Sequence, residues 1–267
     1  LAMVIRSLTL PGSGEGLAFL FAPDFAKINA SVVLQALGQA FFSLSIGMGV
    51  LITYGSYINK KDNLGNSATA ISLTDTLIAI LAGVAIFPAV FAFNIDPKAG
   101  PELVFITLPN IFNQMPAGFY FSILFFSLLV IAALTSSISV LEVVVAFLTE
   151  QLNWHRRKAT LIAATVITIT GIICTMSQGP WESIRLFGLN VFEILDWTSA
   201  NLLLPLGGFF IVIFAGWFLS KDMVKNEITN NGTVRSVLFE AYVFIVRYIA
   251  PIVILFIFLF GLGVFGS

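Results

Sequence analysis

The sequence predicts an all-α polytopic membrane protein, and three observations carry that prediction. Hydrophobic residues make up 58% of the 267 positions and charged residues 10%, with a mean hydropathy of +0.99. Soluble domains hold roughly 45–50% apolar and about 25% charged residues. The apolar residues gather into runs that approach the ~20 residues a membrane-crossing helix needs. Those runs are uniformly apolar, whereas a transmembrane barrel would show alternating strands of about ten residues.

Taken in order, six segments read as spans: 31–58, 71–93, 119–148, 159–176, 197–219 and 237–264, within one transmembrane domain covering 1–267. The opening LAMVIRSLTL is too short to cross and lacks the basic front and small-residue cleavage site of a signal peptide. It reads as the tail of an earlier span, so the sequence is expected to be the carboxyl-terminal portion of a longer chain. Residues 100–115, GPELVFITLPNIFNQM, are amphipathic and interrupted by Pro109, which predicts a helical hairpin over the outer mouth. Residues 177–193 carry Gly179, Pro180 and Trp181, suited to a surface loop with a short helix.

Cytoplasmic loops retain Lys and Arg. One side holds eight basic residues, Lys60, Lys61, Arg156, Arg157, Lys158, Lys221, Lys225 and Arg235, against four on the other, Arg6, Lys27, Lys98 and Arg185. The first group is therefore expected inside and the hairpin outside. A net charge of −1 offers no basic face for nucleic acid. The lone Cys174, within TGIICTM, excludes a disulfide framework and a thiolate metal cage.

Inside the first span, Ala40 to Gly49 reads AFFSLSIGMG, with two serines and two glycines where lipid favours a continuous aliphatic helix. Backbone groups at membrane depth need partners within the protein, so an unwound stretch survives there only where it lines a cavity or is buried in protein. Ser43 and Ser45 offer hydroxyls, the unwound carbonyls offer further oxygens, and a half-helix amino end favours a carboxylate. Gly47 and Gly49 equally suit a close helix contact of the small-xxx-small kind.

Acids within or beside spans need a reason, since a charge near the bilayer centre costs about 2.5–3.5 kcal/mol on insertion scales. Asp75, Glu142, Asp196 and Glu240 are the candidates. A cation partner would explain Asp75, whereas Glu240 reads as a peripheral helix-start acid. In ALTSSIS, Ala132, Thr135 and Ser136 share one helix face, and their oxygens suit a hard alkali cation. Such hydroxyls also bond back to the i−4 carbonyl or across helix interfaces. A serine hydrolase built on Ser43, Ser136 or Ser137 lacks a base within reach, because the sole histidine, His155, falls in the polar NWHRRK. No enzyme is expected; an ion channel or a structural membrane subunit is the alternative to a transporter.

Four segments together, LTLPGSGEGLAFLFAPDF, GQAFFSLSIGMGVLITYGSY, ITLPNIFNQMP and LTSSISV, resemble the neurotransmitter:sodium symporter family, bacterial branch, which has the leucine-transporter fold. The resemblance implies a partial fold, the end of helix five through helix eleven with a broken helix six, in a multi-pass protein of the bacterial inner membrane. It implies sodium-coupled symport of an amino acid by alternating access, and a chain inactive without the amino-terminal helices.

Carried over by position, Ala132, Thr135 and Ser136 would be ligands of one sodium ion, and Ser43 and Asp75 of another. Many relatives place asparagine at the position of Asp75. The aspartate adds charge, and the chloride-linked position is Ala79, so chloride is expected to be dispensable. Phe42 corresponds to an aromatic lid over the substrate, with Ser43, Ser45, Met48, Ser136 and Val140 as pocket wall. Met48 replaces a frequent aromatic and repacks readily, which favours hydrophobic or aromatic amino acids. Asp196 matches the acid of the outer gate, with Gln39 beside it; Glu150 and Tyr57 match the inner gate. The resemblance assigns Glu142 no role.

Overall fold

The computed structural model describes residues 1–59, 62–93, 103–186, 188–233 and 238–264. Lys60, Lys61, Lys98 and Arg235 of the orientation count, and the first three residues of the 100–115 hairpin, lie outside them. Among the described residues the β pairing is limited to one isolated antiparallel bridge, Leu186 with Leu189. Helices α1 (Ala2–Leu8), α2 (Ser13–Phe21), α3 (Ala30–Ser43), α4 (Val50–Tyr57) and α5 (Leu64–Ala92) come first. They are followed by α6 (Leu108–Gln114), α7 (Gly118–Glu150), α8 (Arg156–Ser177), α9 (Val191–Trp197), α10 (Leu204–Ile213), α11 (Lys221–Ile228), α12 (Phe239–Phe244) and α13 (Ala250–Gly261).

Among the described residues, five helical stretches are long and apolar enough to cross a membrane: Leu64–Ala92, Gly118–Glu150, Arg156–Ser177, Val191–Phe218 and Phe239–Gly261. The last two are continuous because π-helical turns at Thr198–Leu203 and Ile245–Ile249 join their α-helical parts, and a third, Phe214–Phe218, ends the first of them. A further π turn, Leu103–Thr107, leads into α6. Three of these turns precede an α-helix with proline in its first two positions: Pro109, Pro205 and Pro251. Proline has no N–H and its ring crowds the carbonyl four residues back. Widening the preceding turn relieves that crowding, as π-bulges do.

The chain forms two compact units. One comprises Leu1–Ile28 and Thr69–Ser136, the other Asn29–Ala68 and Ser137–Ser267, so α5 and α7 contribute to both. In the first unit, Leu10, Ala89, Val90, Leu108, Ile111, Phe112 and Met115 form the core. The Phe112 ring lies 5.8 Å from that of Phe125. Where α2 crosses α5, a Cβ on Gly16 would stand 2.5 Å from the Pro88 Cα, so only glycine admits this approach.

The second unit centres on Phe41, Leu204 and Ile254, against which Ile46, Met48, Phe209 and Val212 pack. Helices α3 and α9 begin with side-chain caps. The Asn29 side chain accepts from the Val32 N–H at 3.0 Å. Asn190 and Glu193 satisfy each other's backbone N–H in a capping box at the start of α9. Buried Ser177 donates to the Cys174 carbonyl and accepts from the Phe192 N–H, tying the end of α8 to α9.

Candidate functional site

The run from Asn29 to Tyr57 is two helices with a gap. Helix α3 stops at Ser43 and α4 begins after Gly49, so residues 44–49 are unwound. Ser45, Gly47 and Gly49 adopt φ of 54°, 88° and 81°, a left-handed region that most side chains resist and glycine enters freely. The chain leaves α3 through a wide closing turn, Ile46 N–H to the Phe41 carbonyl at 3.0 Å.

Seating explains why glycine is required at position 47. Its backbone lies against α10, where a Cβ would collide with the Leu204 carbonyl and come within 2.9 Å of the Gly208 nitrogen. Reciprocally, a Cβ on Gly207 would stand 2.5 Å from the Gly47 carbonyl oxygen. Gly49 caps α4 without a side-chain acceptor, so the N–H groups of the first turn keep the partial positive charge of a helix amino end. The broken stretch therefore offers carbonyls from its unwound residues and amides from α4.

Beyond the break, α4 runs along α7. The Tyr54 hydroxyl bonds the Ser139 hydroxyl at 2.8 Å, and Tyr57 donates to the Glu142 carboxylate at 2.8 Å. A Cβ on Gly49 would meet Val143 at 3.1 Å. Ser139, Glu142 and Val143 have the i, i+3, i+4 spacing of one helix face. Arg156, at the start of α8, pairs with the second Glu142 oxygen at 2.7 Å. Glu142 is thus the hub of three elements, its side chain only 16% exposed while Arg156 is 62% exposed. Two charge-assisted bonds hold that carboxylate. The resemblance gave Glu142 no role, and the signal available in the sequence was an acid 14 residues before an arginine across a turn.

Along α3, from Leu34 to Phe42, a cavity of about 370 Å³ opens between α3, α9, α10 and α13. Gln39, Phe42, Asp196, Asn201 and Phe260 help to line it. The structure therefore brings together Gln39, Phe42 and Asp196, three residues singled out from the sequence. It adds Asn201, whose side chain bonds the Trp197 carbonyl at 3.1 Å. Met48 packs beside the core of the second unit. Glu150 is exposed at the last residue of α7, and Tyr57 bonds Glu142 rather than Glu150. Glu240 stands in the first turn of α12, within 3.7 Å of Lys221.

In the first unit, Ala132, Thr135 and Ser136 occupy one turn of α7, and the Thr135 hydroxyl donates to the Ala132 carbonyl at 2.9 Å. That bond aligns two oxygens on one face. Asp75 lies in α5, half-buried, and Ala79 follows one turn later. Ser43 and Ser45 belong to the second unit, as does Val140 on α7.

These features define a class: a multi-pass helical membrane protein with an interrupted helix. The profile of the sodium:neurotransmitter symporter family matches residues 1–267, and the chain belongs to that family. It is 42% identical over 263 residues to an uncharacterized sodium-dependent transporter of Haemophilus influenzae, covering 98% of this chain and 57% of that protein. It is 38% identical over 262 residues to the uncharacterized sodium-dependent transporter YhdH of Bacillus subtilis, covering 98% and 58% respectively. The crystal structure of MhsT in complex with L-phenylalanine superposes with a TM-score of 0.85 at 43% identity, covering 97% of this chain and 58% of that one. The fold is that of the leucine transporter. The chain spans somewhat over half the length of the relatives it matches. Those relatives bear transporter names, and the family is one of transporters rather than enzymes.

Proposed function

We propose that the protein couples the inward passage of a hydrophobic or aromatic amino acid to sodium by alternating access, within a bacterial inner membrane. The observation that carries this reading is the interruption at residues 44–49, unwound backbone within an apolar run, of the kind that lines a cavity or is buried in protein at membrane depth. The 43% identity to a structure holding L-phenylalanine supports the choice of substrate class.

In this reading the amino end of α4 receives the substrate carboxylate, and Phe42, Ser43, Ser45, Met48, Ser136 and Val140 form its wall. Ala132, Thr135 and Ser136 hold one sodium ion; Ser43 and Asp75 contribute to another. Their ligands are neutral oxygens and one carboxylate, a donor set suited to a hard cation. The Asp75 charge does the work of an anion, so chloride is not required. Gln39 and Asp196 act at the outer gate, and Tyr57 and Glu150 at the inner one. Each ligand favours the closed arrangement by its differential affinity, and coupling follows by linkage. Transport belongs to the protein that includes the region its relatives have in addition, and these 267 residues alone are inactive.

Uptake of radiolabelled amino acids into proteoliposomes tests the reading. Uptake of phenylalanine-like substrates is expected in sodium but not in potassium, and unchanged when chloride is replaced. Thr135→Ala and Ser136→Ala each weaken apparent sodium affinity roughly tenfold, the consequence of losing about 1.4 kcal/mol. Sodium-independent uptake, or ion currents without solute coupling, would overturn it.

A further inference from the structure

We propose that Arg247 and Lys221 hold the headgroup of an anionic phospholipid where the span Val191–Phe218 ends. Arg247 lies in the π turn Ile245–Ile249 of the span Phe239–Gly261. Its Nε donates to the Gly216 carbonyl, and the Trp217 indole donates to the Arg247 carbonyl at 3.1 Å. The second bond has a simple origin, because Arg247 stands four residues before Pro251, which has no N–H to offer that carbonyl. The guanidinium also lies 5.9 Å from the Trp217 ring centre.

These contacts engage one of five guanidinium N–H groups. Among the described residues no carboxylate pairs with Arg247. Lys221 lines the same small cleft as Arg247, as does Tyr242. Among the described residues the Lys221 ammonium pairs with Glu240 at 3.7 Å, the side chains 51% and 80% exposed, a pair worth little in water.

Depth and surroundings select the ligand. Gly216 lies two residues before the apolar span ends and the polar helix α11 begins after Ser220, so the cationic pair stands at headgroup level. Exposed Trp217 packs against Tyr248, and Tyr248 against Phe244, with ring centres 5.8 and 5.5 Å apart, the composition of an interfacial aromatic belt. A phosphate diester offers the guanidinium two acceptor oxygens in the geometry it prefers. A zwitterionic headgroup brings a cation of its own, which Lys221 repels, whereas an anionic headgroup does not. Basic clefts between spans on the cytoplasmic side bind such lipids.

The test uses the membrane-extracted protein reconstituted into phosphatidylcholine vesicles with a minor share of phosphatidylglycerol, brominated on one lipid or the other. Quenching of Trp217 is isolated by difference from Trp217→Phe. Per lipid, brominated phosphatidylglycerol should quench Trp217 about fivefold more than brominated phosphatidylcholine, the enrichment that one basic side chain supplies at a surface. Arg247→Gln should abolish the preference, and Lys221→Gln, at an exposed position that folding does not need, should reduce it. Added inorganic phosphate should leave it intact; a preference erased by free phosphate would reject lipid as the ligand. Equal quenching by the two lipids in the unsubstituted protein, or a preference unmoved by Lys221→Gln, would overturn the proposal.

Discussion

At Gly47 two demands coincide, a left-handed backbone and contact with the backbone of α10. Either alone penalises a side chain, and together they leave no room for a methyl group. Gly47→Ala is expected to destabilise the protein by roughly 1–3 kcal/mol, read as a lowered thermal midpoint in detergent. Gly55, helical and with nothing within 4 Å of its Cβ position, is the control; Gly55→Ala should be neutral or slightly stabilising. Equal losses at both sites would contradict the seating described here. Glu142 poses the complementary case, a carboxylate serving two donors at once. A double-mutant cycle of Tyr57→Phe and Arg156→Gln is expected to be non-additive, since each change alters the acceptor the other uses. Strict additivity would mean that the two bonds are independent. The break was readable because serines and glycines at membrane depth violate a strong rule. The partners of Glu142 were not, because an acid's partner across a turn depends on how two helices pack rather than on spacing.

Among the elements, the π turns escaped the sequence reading, although each proline that follows them was visible. Pro109 interrupts the amphipathic 100–115 segment, while Pro205 and Pro251 lie inside apolar runs that read as uniform spans. Hydropathy counts residues and is blind to a missing N–H, so a proline within a span should be read as a freed carbonyl four residues earlier. At Arg247 that carbonyl is taken by Trp217. Trp217→Phe should cost about 1 kcal/mol, the scale of interhelical bonds within membranes. Pro251→Ala restores a backbone donor, so the double variant should lose less than Trp217→Phe alone. Chemical-denaturation midpoints measure this, and an unaltered cost in the Pro251→Ala background would refute the account. The helix bounds show the opposite situation. Long apolar runs were visible from composition, but their ends were not, because caps such as Asn190 with Glu193 lie in polar stretches that resemble any loop.

For the molecule as a whole, membrane class followed from composition, far from that of typical soluble domains, and the all-helical architecture from apolar runs that are uniform rather than alternating. The division into two compact units was not readable, because it cuts across α5 and α7 within continuous helices and leaves no linker in the sequence. Binding at the proposed site should stabilise the whole protein by mass action. In sodium, L-phenylalanine at a hundred times its dissociation constant should add about 2.7 kcal/mol, raising the thermal midpoint. Replacing sodium by potassium should remove most of that gain, and an identical shift in both salts would separate amino acid binding from the cation.

The interrupted helix presents main-chain atoms, and main-chain atoms are the same whichever amino acids are encoded around them. Under the proposed function, a lineage can thus exchange Met48 or Val140 to admit a differently shaped cargo while the carbonyls and amides at the gap stay where they were. Preference for cargo and appetite for the driving ion can drift apart over evolutionary time, which lets one scaffold serve many diets.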